Sequence, residues 1–166
     1  MNPWRFCPLC GSALEERVID GLARLACSVD CGFVHWHNPV PVLAALVEHQ
    51  GQIVLARNRA WPAGRFGLIT GFLESDEAPE AGVIREVAEE LALVAHTPRL
   101  IGVYPFTRKH EVIIAYHVLA EGTIRLNEEL AEFRLISPAR LKAWDFGTGF
   151  AVRDWLAANG HTPPPI

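Results

Sequence analysis

Between Gly71 and Leu93 the chain reads GFLESDEAPEAGVIREVAEELAL. This stretch fixes Gly71, Glu77, Arg85, Glu86, Glu89 and Glu90 at set offsets, and it constrains the rest of the molecule more than any other segment. Ser75 or Asp76 can cap a helix N-terminus, and Pro79 suits a first helical turn. No further proline interrupts the run to about Leu91. Val83, Val87 and Leu91 recur at four-residue steps with Ile84 beside them, the apolar stripe of a helix that packs on a core. Glu86 and Glu90 stand four apart, and Glu89 three from Glu86, so the three acids share adjoining parts of one face. Like charges so spaced cost an isolated helix roughly a few tenths of a kcal/mol per pair. A hard cation with oxygen ligands is the natural compensation. Arg85, four before Glu89 and eight after Glu77, can grip a carboxylate bidentately and fix its rotamer. The plainer reading of the same residues is a solvated acidic face.

The full spacing resembles the Nudix box, G-x5-E-x7-R-E-U-x-E-E-x-G-U, with U a bulky apolar residue. Gly71, Glu77, Arg85, Glu86, Val87, Glu89, Glu90 and Leu93 match it. Ala92 departs, standing where the family has glycine. That glycine ends the helix in a left-handed turn, which alanine adopts at a cost of roughly 1 kcal/mol. The departure removes no ligand but leaves the exit from the helix open to change.

All four cysteines lie in the first 31 residues: Cys7 and Cys10 in CPLCG, Cys27 and Cys31 in CSVDCG. The second pair has three intervening residues where two are commoner. The opening residues, Met1 to Phe6, do not read as an export signal. In a chain kept reduced, four thiolates around one tetrahedral Zn²⁺ fit better than disulfides. With no open ligand position the zinc is structural, folding a segment too short for its own core. Free buried thiols are the alternative. His35 and His37 lie close enough in sequence to replace one sulfur.

The chain has 166 residues, half of them hydrophobic, and a net charge of −4. That is enough for one ordinary domain plus a small appendage, and the charge argues against broad nucleic-acid binding. The longest apolar runs, near Val40–Val47 and Val112–Ala120, are too short to span a bilayer. We expect a cytoplasmic protein with no membrane partner. Three segments are expected: a ribbon over 1–37, a main domain over 38–160, and a loose proline-rich tail over 161–166. Within the main domain, strands are expected at Val42–Glu48 and Gln52–Arg57 around a turn at Gln50-Gly51. Others are expected at Phe66–Thr70, Leu100–Val103, Val112–Ala120 and Glu132–Ile136. Ser137-Pro138 should open a short helix. Thr148–Ala158 reads as a terminal helix with Val152, Trp155 and Leu156 inward.

A four-cysteine ribbon, an N-P-V-P-V link and a Nudix box together resemble the NADH pyrophosphatase group and its zinc-ribbon relatives, including plant FAD pyrophosphatases. The resemblance implies an α/β fold, the Nudix α/β/α sandwich with a mixed sheet, preceded by a small zinc ribbon. It implies Mg²⁺- or Mn²⁺-dependent hydrolysis of a nucleoside diphosphate linked to another moiety, X, in the NADH, FAD or ADP-ribose class. Glu86, Glu90, Glu89 and Glu129 would then hold metal, with the carbonyl of Thr70. Glu89 or Glu86 would take a proton from water, and Arg85 with Glu77 would orient the glutamates. Phe72 matches the family's ring-stacking phenylalanine. The S-Q-P-W of the NADH enzymes is replaced by Ile101-Gly102-Val103-Tyr104, which weakens a strict NADH preference. Tyr104 and Phe106 remain candidate base-stacking residues, with core packing as the alternative. Arg57, Arg65, Arg108 and Lys109 are candidates to neutralise substrate charge, and Glu111 and Glu132 are lesser acidic candidates. The partner is a small-molecule nucleotide; no nucleic acid is expected, although a capped RNA is a second possible substrate. Relatives suggest a homodimer. A non-catalytic nucleotide sensor is the rival outside catalysis, and such domains often lose the box glutamates that this chain keeps.

Overall fold

A computed structural model describes residues 4–161. The chain divides into two compact units, Met1–Pro39 and Val40–Ile166. The first holds β1 (Leu14–Ile19), β2 (Leu22–Cys27) and β3 (Val34–His35), a three-stranded antiparallel sheet in the order β1-β2-β3. Asp20 and Gly21 turn β1 into β2 with φ of 52° and 78°. Positive φ at both central residues is the hairpin geometry that matches strand twist.

The second unit is built on β4 (Val40–His49), whose residues 42–47 are all buried. A strand apolar on both faces belongs between two layers, not at a surface. β5 (Gln52–Asn58) returns from it through Gln50-Gly51, and β6 (Ile69–Phe72) pairs with its first half. Then follow the helix α1 (Pro79–Leu91), β7 (Val94–Phe106), β8 (Glu111–Glu121), β9 (Leu130–Ile136) and the helix α2 (Gly149–Ala158). The six-stranded sheet runs β7-β8-β4-β5-β9, with β6 also on β4; β4 and β8 are parallel and the other pairs antiparallel. One face carries Ala45, Val47, Ile69 and Val118 against Val83, Val87 and Leu91 of α1. The other carries Ala44, Leu46 and Ile113 against Val152, Trp155 and Leu156 of α2. This is the expected mixed-sheet α/β/α sandwich. Among the described residues no helix is long and apolar enough to cross a membrane.

Several local expectations change. Neither Ser75 nor Asp76 caps α1. Ala78 occupies the cap position without a side-chain bond, and Asp76 takes φ 61° so that the chain turns before Pro79. The strand expected over 66–70 starts later, at Ile69, after an isolated bridge between Ala56 and Gly67. The short strand expected at Leu100–Val103 is the middle of the 13-residue β7, whose bulges near His96–Arg99 and Leu100–Gly102 hide its period. After Ser137 only a single 3-10 turn forms, Pro138–Arg140. His161 is docked, its amide donating to the Leu156 carbonyl at 2.9 Å and its ring stacked on Trp155. The rest of the expected loose tail, 162–166, lies outside the described residues.

Ala92 ends α1 in the left-handed region, φ 55° and ψ 28°, its amide donating to the Ala88 carbonyl. The helix exit therefore has the geometry a glycine would give, held by a residue that pays a Cβ penalty. Ala92→Gly is expected to raise unfolding free energy by about 1 kcal/mol, read from urea denaturation. A loss of stability would show that the αL strain is not the controlling effect.

Candidate active site

Arg85 organises the acids of α1. Its Nε donates to Glu77 Oε1 at 2.8 Å and its Nη2 to Glu77 Oε2 at 2.9 Å, a bidentate pair. Its Nη1 donates to Glu86 Oε1 at 2.7 Å and Glu89 Oε2 at 3.1 Å, and its Nη2 also reaches the Phe72 carbonyl at 3.2 Å. The Glu77 carboxyl is held below the usual carboxylate range by Arg85. Glu86 moves the other way: burial raises it more than Arg85 lowers it.

Glu90 is the contrasting group. Only 7% of it is exposed, and its carboxylate accepts no hydrogen bond from the described residues. Burial pushes its carboxyl up to about 8, assisted by the like charges of Glu86, Glu129 and Glu89. A buried, unpaired acid among other acids is unfavourable unless something positive joins it. Arg85 bonds Glu77, Glu86 and Glu89, while Glu90 and Glu129 add further acid beside them, with no cation of their own at the cluster among the described residues. An all-oxygen donor set with this excess of negative charge suits a hard divalent cation. Arg85 draws Glu86 and Glu89 to itself, and among the described residues only the cysteines bring three or more ligand atoms together at one point.

Glu129 reaches the helix through a loop that satisfies the helix's last carbonyls. The Asn127 amide donates to Glu90 O at 3.2 Å and the Arg125 amide to Leu91 O at 2.9 Å. Asn127 Oδ1 in turn accepts from the Glu129 and Leu130 amides.

Two glycines make the cluster compact. A Cβ on Gly71 would lie 1.9 Å from Glu86 Cδ, so the strand end can lie against that carboxylate only without a side chain. Gly82, mid-helix, was not among the residues the sequence reading picked out. A Cβ there would lie 2.5 Å from Leu43 Cδ1 and 2.6 Å from Glu77 Oε2. Its signal was available: glycine in a helix interior costs roughly 1 kcal/mol relative to alanine and asks for a packing reason.

A cavity of about 400 Å³ adjoins the cluster, and Thr70, Gly71, Phe72, Phe106, Lys109 and Glu111 contribute to its wall. Gly71 thus borders both the cavity and Glu86. Phe72 is 58% exposed, as a ligand-stacking ring must be. Tyr104 does not reach the cavity: it is buried in the α2-side core, and its hydroxyl donates to Asp154 Oδ2 at 2.9 Å. Arg57 is likewise outside the cavity wall, paired with Glu132 at 2.6 Å and donating to the Trp61 carbonyl. Its guanidinium, and the acid Glu132, serve each other. Arg65 joins Lys109 in the wall, whereas Arg108 does not.

In the first unit the sulfurs of Cys7, Cys10, Cys27 and Cys31 lie within 4.8 Å of one another, with Cys7–Cys31 and Cys10–Cys27 at 3.4 Å. Such a cluster could bind a metal ion, and a tetrahedron of thiolates about 2.3 Å from one ion has edges in this range. Within the longer second knuckle Asp30 turns left-handed (φ 50°), and Gly32 follows Cys31 with positive φ (92°) as Gly11 follows Cys10 (75°). Ser12 lowers the Cys10 thiol to about 6 through its hydroxyl and amide. The metal-capable group is these four sulfurs, and neither His35 nor His37 belongs to it. His35 instead meets the Trp4 ring at a tilt and the His37 ring edge-on.

Residues 37–154 match the NUDIX domain, and the chain belongs to that family. It is similar to the NAD-capped RNA hydrolase NudC of Stutzerimonas stutzeri (strain A1501), 30% identical over 167 residues, covering 98% of this chain and 59% of that protein. It is also similar to the NAD-capped RNA hydrolase NudC of Mycobacterium bovis (strain BCG / Pasteur 1173P2), 31% identical over 124 residues, covering 72% of this chain and 38% of that protein. The chain therefore spans 59% and 38% of the length of these two relatives. A solved NUDIX hydrolase from Nitrosomonas europaea shares the fold, with a TM-score of 0.77, 22% identity and coverage of 96% of this chain and 95% of that one.

Gly82→Ala tests the packing directly. Replacing a helical glycine with alanine ordinarily stabilises by roughly 1 kcal/mol. Here the overlap with Leu43 and Glu77 should reverse the sign, to a loss of about 1–3 kcal/mol in urea unfolding.

Proposed function

We propose that this chain hydrolyses the diphosphate bond of a nucleoside diphosphate linked to X, in the NADH, FAD or ADP-ribose class. The products are a nucleoside monophosphate and X-phosphate. One observation carries the reading: a buried, unpaired Glu90 stands among carboxylates that Arg85 holds in place, next to an aromatic-walled cavity that shares Gly71 with the cluster.

Mg²⁺ or Mn²⁺ would be held by Glu86, Glu90 and Glu129, with Glu89 and the Thr70 carbonyl alongside. Such ions, when bound, neutralise diphosphate charge and lower the pKa of a coordinated water. The chain's own residues then have separable tasks. Arg85 fixes the Glu86 and Glu89 rotamers, and Glu77 in turn fixes Arg85. Glu89 is the more exposed of the two candidate bases, its side chain 56% accessible against 12% for Glu86. We assign it the proton of the attacking water, with Glu86 as the alternative. Phe72, Phe106 and Lys109 would contact the substrate from the cavity wall. The cysteines of the 1–37 segment would hold one structural Zn²⁺ ahead of a hydrolase domain over 38–160. We place the protein in the cytoplasm and infer a homodimer, both by analogy.

Removal of a nucleotide cap from RNA is the second reading. It breaks the same diphosphate bond, and the similar curated proteins carry that activity in their names. Incubation with Mg²⁺ and NADH, FAD, ADP-ribose or a capped RNA separates the readings. Monophosphate release from the small molecules supports the first. Release from RNA alone supports the second, and release from none would turn the account toward a nucleotide sensor.

Glu86→Gln should lower kcat by a hundredfold or more, on the order of the loss of a charge-stabilising group, with circular dichroism unchanged. Near-normal turnover would remove Glu86 from the mechanism. Elemental analysis of the purified protein should find about one zinc per four-thiolate site; a folded, zinc-free protein would overturn the ribbon assignment.

A further inference from the structure

The cavity wall holds more aromatic surface than the fold uses. Trp61, Phe66, Phe72 and Phe146 line it and pack into neither core cluster. Trp61 is anchored with particular care for a loop residue. Its amide donates to the Asn58 carbonyl at 2.9 Å, and its carbonyl accepts from Arg57 Nη1 at 3.2 Å. Its indole abuts Gly67, where a Cβ would meet two ring carbons at 3.1 Å.

These rings also position cations. The Arg65 guanidinium sits 5.2 Å from the Phe146 centroid and 6.0 Å from that of Trp61, within cation–π reach. Lys109 Nζ lies 6.0 Å from the Phe106 centroid. The side chains of Arg65 and Lys109 make no ion pair or hydrogen bond to a described residue. Arg57, Arg85 and Arg153, by contrast, each hold a carboxylate. The one acid in the wall, Glu111, pairs with neither of the two. Arginine held by its face on aromatic rings keeps its N–H edge free for an anion.

We propose that Arg65 and Lys109 make this cavity selective for substrates carrying an anionic group, a phosphate monoester or carboxylate, beyond the diphosphate itself. The inference rests on the reading that the cavity receives part of a nucleoside diphosphate linked to X. The diphosphate charge falls to the glutamate-bound cations. The two unpaired side chains, which share the wall with Gly71 and Phe72, are left for a further negative charge on either end of the molecule.

Matched pairs test this. NADPH differs from NADH by one phosphate monoester, and UDP-glucuronate differs from UDP-glucose by one carboxylate. For the full chain with Mg²⁺, kcat/KM should favour the anionic member of at least one pair by about tenfold, the scale of one charge-assisted hydrogen bond. That ratio should collapse toward one in Arg65→Ala or Lys109→Ala. Calorimetric binding of the same four ligands gives the selectivity independently of turnover. Hydrolysis of both members at equal efficiency would overturn the proposal. So would variants that weaken both members alike and leave the ratio unchanged, which would assign the cations to the diphosphate. Selective binding without hydrolysis would uphold the selectivity and sink the enzymatic reading instead.

Discussion

The site depends on one guanidinium. Arg85 makes five hydrogen bonds, to Glu77, Glu86, Glu89 and the Phe72 carbonyl. Arginine has five N–H donors, so its capacity is fully used. It offsets the repulsion that neighbouring acids on one helix face would otherwise exert, and it ties α1 to the end of β6. A lysine offers three donors around a point charge and cannot reproduce the planar grip. Glu90 escapes this neutralisation. A carboxyl without a partner among the described residues therefore sits at a buried position, where burial favours its neutral form until a cation joins it, on a helix whose opposite face is locked in the core.

The fold supplies the precision. β6 pairs residue for residue with β4, setting Gly71 opposite Leu43 and Thr70 opposite Ala44. Leu43 then abuts Gly82 of α1, and Gly71 abuts Glu86. Strand, helix and carboxylate meet at two positions that have no room for a side chain. The far end of the helix is fixed as well, because the loop leading to Glu129 bonds the carbonyls of Glu90 and Leu91. The clustered acids thus come from two segments but share one set of backbone anchors.

Much of this was legible in the sequence. Val83, Val87 and Leu91 spoke for the helix face, and all three are fully buried. The sandwich was implied by the resemblance to the Nudix family rather than by the apolar runs themselves. What local reading missed has a physical pattern. Asp76 looked like a helix cap, but the chain bends there and only Ala78 precedes the first turn. Tyr104 looked like a stacking residue because its neighbours resemble ligand-binding segments; strand alternation sends it to the core side, where Asp154 takes its hydroxyl. Arg57 looked free because its partner, Glu132, lies 75 residues away across a strand pair. Trp61 and Gly67 gave no sequence signal as a unit, since only the fold brings an indole over that backbone.

The central claim is that the carboxylates of α1 and the Glu129 loop exist to hold divalent cations against a diphosphate. Anomalous diffraction from crystals grown with Mn²⁺ and a non-hydrolysable nucleoside diphosphate analogue reads this most directly. The account places Mn²⁺ peaks between Glu86, Glu90 and Glu129 and the phosphate oxygens. Nucleotide density in the cavity with no manganese at those carboxylates would contradict it.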